Sequence, residues 1–183
     1  MQKKFSKIST EIIKENPYWI YKKDKYYLPN EEEGDFHYIE TNGSILIIPI
    51  INNKIVLVNQ FRYLNQKNSY EFPGGGIDRD LSIQENLQKE LSEEAGYISH
   101  KTTYLGEFNP FNGVTNEICY VYLATDLEQK IVKPDITEEF SIDLFTIKQF
   151  NELLRSNKIW DGMTLSAWTI FLYSKYFVDF FGE

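Results

Sequence analysis

Cysteine and histidine are scarce: one Cys and two His in 183 residues. The single thiol, Cys119, cannot close an intramolecular disulfide, and neither His37 nor His100 lies near it in sequence to activate it. That excludes a disulfide framework and argues against a Cys–His nucleophile. In its strand-like run Cys119 reads as a small buried hydrophobe. Positive charge is also in deficit, with 19 Lys and Arg against 27 Asp and Glu, a net charge of −8 and a pI near 4.9. Non-specific nucleic-acid binding needs a basic footprint, and so does an anionic membrane surface; both are excluded. No run approaches the roughly 20 apolar residues of a membrane-spanning helix. The opening MQKKFSKISTEIIKEN has no apolar signal-peptide core, so a cytoplasmic protein is expected. Repeats, low-complexity tracts and linkers are absent too, which leaves one domain, or one domain with an N-terminal extension. A 42% hydrophobic and 16% aromatic content suffices for a sizeable core.

The stretch that carries chemistry is EFPGGGIDRDLSIQENLQKELSEEAGY, residues 71–97. Three glycines, Gly74, Gly75 and Gly76, run into a helix bearing Glu90, Glu93 and Glu94. Glu90 and Glu94 fall one turn apart on one face, with Glu93 beside them. Ile83, Leu87, Leu91 and Ala95 follow at i+4 steps and form an apolar stripe along the acidic edge. Ser82 and Glu85 have capping-box spacing, which starts the helix at about residue 83, and Gly96 suits its end. Three crowded carboxylates repel one another unless a cation neutralises them. Hard oxygen donors suit Mg²⁺ or Mn²⁺, ions that also bind phosphate oxygens.

The flanking sequence supplies strands. Residues 4–39 read as strands, with aromatic-rich Tyr18–Tyr21 and Lys25–Leu28 and a turn at Pro29, Asn30 and Gly34. This segment is either an ordinary β-meander or a dimerising extension whose rings, Trp19 among them, stack on an adenine. Ser44–Ile51 is a near-continuous apolar run, hence a strand buried on both faces, and Lys54–Phe61 returns after Asn52-Asn53. Arg62 leaves that strand either as a phosphate clamp or as a surface residue. Tyr70-Glu71-Phe72 is a short strand feeding the glycines, with Glu71 as a substrate-binding residue. Thr103–Pro110, Glu117–Ala124 and Ile142–Phe145 are further strands. Two helices close the chain, the first marked by Phe150, Leu153 and Leu154. The second spans Met163–Phe177 with Leu165, Trp168, Phe171, Leu172 and Tyr176 on its apolar side. This order predicts an α+β fold with helices packed on a mixed sheet.

The central stretch resembles the Nudix box, G-x5-E-x7-R-E-U-x-E-E-x-G-U, with Gly75 in first place and Lys89 to Tyr97 at its end. Two positions depart: Leu81 replaces the first Glu and Lys89 the Arg. The resemblance implies a Nudix-type α/β/α sandwich over residues 41–183, preceded by a β-rich extension over residues 1–40. It further implies that Glu90, Glu93 and Glu94, with the Gly74 carbonyl, hold the divalent metal. The downstream loop NPFNGVTNE and the segment NKIWDG are similar to the ADP-ribose and ADP-sugar pyrophosphatase branch, in which Glu117 matches an acid near the metals. That branch implies a homodimer and cleavage of an ADP-ribose or ADP-sugar diphosphate to AMP and a sugar phosphate. Its catalytic loop matches Asp135 to Glu139, so Glu138 or Glu139 is the expected base, with Glu94 as the alternative on the box. The departures at Leu81 and Lys89 keep open a non-catalytic ADP-ribose-sensing module. Hydrolysis of other dinucleotides, such as GDP-sugars, NADH or diadenosine polyphosphates, is the other alternative.

Overall fold

The β4 strand, Ser44–Ile51, is the axis of the molecule, and every residue from Ser44 to Ile50 is buried. The computed structural model describes residues 5–130 and 140–182. The strand's alternation sends its side chains to two separate cores. Leu46, Ile48 and Ile50 pack with Phe150, Trp168 and Phe171 on one side of the sheet. Ile45 and Ile47 pack with Leu87, Leu91 and Ala95 on the other. A near-continuous apolar run thus builds a strand covered on both faces, as its sequence predicts.

Beside β4 lie β5 (Lys54–Arg62), β8 (Tyr97–Phe108), β9 (Cys119–Gln129) and β10 (Phe140–Phe145), in the order β10-β5-β4-β9-β8. Two shorter strands join this seven-stranded sheet, β6 (Lys67–Glu71) on β5 and β7 (Gly74–Gly76) on β4. The β4–β9 pair is parallel and the other pairs are antiparallel, so the sheet is mixed. Asn52 and Asn53, both at positive φ, make the two-residue turn between β4 and β5. These strands then pair only beside that turn, through Ile50–Ile55 and Ile51–Lys54. Beyond it they diverge: β4 takes the glycine strand as partner, and β5 takes Lys67–Glu71. The divergence opens the sheet at one end.

The helix α1 (Ile83–Ala95) begins with the expected capping box of Ser82 and Glu85 and ends at Gly96, whose φ of 69° is left-handed. Leu87, Leu91 and Ala95 are buried along it, while Ile83 at its first turn is 37% exposed. On the opposite face lie α2 (Ile147–Arg155), α3 (Gly162–Leu172) and the short α4 (Phe177–Phe181). The second of the expected helices stops at Leu172, not at Phe177. The chain turns through Tyr173–Tyr176, and Phe177 and Phe181 come back against Phe171, with ring centroids 5.5 and 6.4 Å away. Of its expected apolar side, Trp168 and Phe171 are buried, but Leu165 and Leu172 remain largely exposed.

The N-terminal strands β1 (Ser6–Glu15), β2 (Ile20–Tyr27) and β3 (Glu33–Glu40) form a separate antiparallel sheet. It is tied to the loop after β8 by the Ile39–Thr115 bridge, with Ile39 N–H donating to Val114 O at 2.8 Å. Tyr18 and Trp19 lie in the β1–β2 turn, where both backbone amides donate to Asn16 Oδ1. Among the described residues no helix is long and apolar enough to cross a membrane.

Candidate active site

Where β4 and β5 part, a cavity of about 720 Å³ opens. Its walls come from Ser44–Leu46, from Val58, Gln60 and Arg62, and from the glycine strand. The glycine strand is pinned from both sides, since Ile47 N–H donates to Pro73 O and Ile77 N–H to Gly43 O. Glycine is required here by close approach rather than by torsion. A Cβ on Gly75 would lie 2.5 Å from Glu90 Oε2, and one on Gly74 would lie 2.2 Å from Ile45 O. The box helix therefore presses its carboxylates onto bare backbone. Glu94 Oε2 accepts the Gly74 N–H at 2.8 Å.

Asn86, fully buried on α1, fixes the segment between the glycines and the helix. Its Oδ1 accepts Asp78 N–H at 2.9 Å, and its Nδ2 donates to the carbonyls of Asp78, Leu81 and Ser82. On the facing wall Arg62 grips Glu71 with two hydrogen bonds, Nε to Oε1 at 2.9 Å and Nη2 to Oε2. Glu71 is buried, while the Arg62 side chain is 47% exposed. Its hydrogen bonds to Glu71, reinforced by the nearby charges of Asp161 and Glu94, raise the Arg62 pKa despite partial burial. Ser44 Oγ donates to Glu117 Oε1 at 2.6 Å, which aims that carboxylate along the cavity wall. Asp161 caps α3 by accepting Thr164 N–H at 2.7 Å, and buried Thr164 accepts Phe72 N–H in turn. The approach to the glycines is thereby tied to α3. Behind the cavity Cys119 is fully buried, and that burial pushes its thiol up to about 11.

Of the residues singled out in the sequence, Arg62, Glu71, Gly74, Glu94 and Glu117 line this one cavity. Glu90 lies against Gly75, and Glu93 is exposed at the helix edge. Trp19 does not line the cavity; Pro17 and Tyr18 of the same turn do. The Asn16 hydrogen bonds set that turn and bring Tyr18 forward. Glu138 and Glu139 lie outside the described residues. Sequence reasoning missed Asn86, Ser44 and Asp161. Asp161 was within reach: Asp-Gly-Met-Thr before an apolar run is a helix-capping signal. A polar residue inside a helix, such as Asn86, gives no comparable signal.

The NUDIX domain model matches residues 40–164. The chain belongs to this family. Among curated relatives, it is 29% identical over 147 residues to the methanol dehydrogenase activator of Bacillus methanolicus, covering 79% of this chain and 80% of that one. It is 26% identical over 143 residues to the ADP-ribose pyrophosphatase of Bacillus subtilis (strain 168), covering 76% and 77%. The crystal structure of an ADP compounds hydrolase superposes with a TM-score of 0.82 at 18% identity, covering 93% of both chains. At that identity the likeness shows the Nudix fold. The residues expected to hold the metal fit a hard divalent cation by donor chemistry, and the Glu90 and Glu94 carboxylates already abut the glycine backbone. Among the described residues, however, no three His, Cys, Asp or Glu side chains converge closely enough to enclose an ion.

Proposed function

We propose that this protein hydrolyses the diphosphate of ADP-ribose or an ADP-sugar, releasing AMP and a sugar phosphate. The observation that carries this reading is the cavity itself. It has the size of a small-molecule site, and the pinned glycine strand and Glu94 form one wall of it. Glu90, Glu93, Glu94 and the Gly74 carbonyl would hold its metal. A Mg²⁺ or Mn²⁺ held there would neutralise charge on the diphosphate and make the attacking water more acidic. Arg62 and Glu71 shape the substrate wall as a pair, and Ser44 holds Glu117 toward the diphosphate. The proton of the attacking water passes to Glu138 or Glu139, with Glu94 as the alternative acceptor. Tyr18 of the β1–β2 turn, rather than the expected Trp19, offers a ring to the adenine at the mouth. The working form is a cytoplasmic homodimer, with residues 1–40 as its dimerising segment and residues 41–183 as the Nudix domain.

The test is a panel of nucleoside diphosphate sugars, NADH and diadenosine polyphosphates with Mg²⁺, separating products by anion-exchange chromatography. AMP plus sugar phosphate from ADP-ribose or an ADP-sugar is expected as the fastest conversion. Glu94→Gln should slow it by on the order of 10²-fold, as loss of such an electrostatic group does. Faster turnover of a substrate without an ADP moiety, or no effect of Glu94→Gln, overturns the assignment.

A further inference from the structure

The cavity is unevenly charged. Five carboxylates line it, Glu71, Asp78, Glu94, Glu117 and Asp161, against two cations, Arg62 and Lys89. A diphosphate entering such a site is repelled unless positive groups meet it. Arg62 is already engaged, since its Nε and Nη2 both donate to buried Glu71. Lys89 differs. It projects from α1 into the cavity lining, it is exposed, and among the described residues it makes no ion pair within 4.0 Å. Two carboxylates on its own helix stand at the spacing that could take it, Glu85 at i−4 and Glu93 at i+4. Glu85 is spent on the capping box, accepting both the Ser82 N–H and its hydroxyl. Glu93 is exposed, and among the described residues it forms no ion pair with Lys89. The box arginine would orient a glutamate with its planar fork. A lysine lacks that fork, and here it does not serve that end.

We infer that Lys89 is a substrate-binding residue whose ammonium meets a phosphate oxygen of the bound diphosphate. The inference rests on the reading of the cavity as a diphosphate site. A point charge on a flexible stem can follow a phosphate oxygen without a fixed geometry. The contact forms with the substrate and persists in the transition state, so its loss weakens binding more than turnover.

The experiment uses the full chain with Lys89→Met, which keeps the apolar stem, and Lys89→Arg, which keeps the charge. Steady-state kinetics on ADP-ribose with Mg²⁺ are paired with calorimetric binding of ADP-ribose in EDTA. Lys89→Met is expected to raise KM about tenfold or more, the effect of losing a charged hydrogen bond, with kcat within about threefold. Lys89→Arg is expected to restore most of that loss. An unchanged KM in Lys89→Met, or a fall in kcat alone, overturns the inference while hydrolysis by the wild type stands. If the wild type cleaves nothing but binds ADP-ribose, and Lys89→Met weakens that binding, the inference survives and the hydrolase reading falls. If the wild type neither binds nor cleaves, both fall.

Discussion

Gly75 shows how little room the site leaves at the scale of one residue. A methyl group there would lie 2.5 Å from the Glu90 carboxylate, a contact that real Cβ atoms do not make. The nearest atom is the end of a flexible side chain, so relief would come by displacing Glu90 rather than by breaking the sheet. Gly75→Ala is therefore expected to keep the wild-type melting temperature within about 3 °C. It should also raise the half-saturating Mg²⁺ concentration roughly tenfold, the size of loss found when groups that orient metal ligands are disturbed. Magnesium titration of activity alongside calorimetric melting checks it; an unchanged Mg²⁺ requirement would show that Glu90 is not a ligand. At this scale the sequence was informative wherever function is written as spacing. That Glu90 and Glu94 share one face of α1 follows from helix periodicity alone. The Arg62–Glu71 pair does not, because strand register across a turn joins them.

Among the elements, α1 was the most legible, since an apolar stripe, a capping box and a terminal glycine all agree on its bounds. Its anchoring to the preceding loop was not, because that work falls to Asn86, a polar side chain at 0% exposure. Asn86→Ala removes an acceptor from Asp78 N–H and a donor shared by three carbonyls. Leaving such groups unsatisfied costs about 2 kcal/mol. In a chain of this size that lowers the melting temperature by about 5 °C. Scanning calorimetry reads it, and a melting temperature equal to wild type would mean that the loop holds itself. The end of α3 was misjudged from sequence for a similar reason. Apolar residues continue past Leu172, but the phenylalanine cluster around Phe171 favours a turn over another helical turn. The cavity was also invisible in sequence, since it arises from β4 and β5 exchanging partners partway along their length.

For the whole molecule, the N-terminal sheet presents much apolar surface. Phe5, Ile12 and Phe36 are 65%, 58% and 46% exposed, and the sheet is joined to the Nudix body at the Ile39–Thr115 bridge. Apolar surface of this kind marks an association face. Sedimentation at micromolar concentration is expected to give a homodimer, and deletion of residues 1–35 to give monomer or aggregate. A monomeric full-length chain would remove the dimer from the proposal. Any such association must be non-covalent, for a reason that lies in the parallel β4–β9 pair. There Cys119, the first residue of β9, stands opposite Ser44, the first of β4; it is the only sulfhydryl in the sequence, at 0% exposure and with its ionisation suppressed. A thiolate is the species that reacts, and burial, which pushes this thiol up to about 11, keeps it scarce at neutral pH in the folded chain. Air oxidation is therefore expected to spare this thiol in the native protein, and a coloured thiol reagent is expected to react only as fast as the β4–β9 pair opens at Cys119.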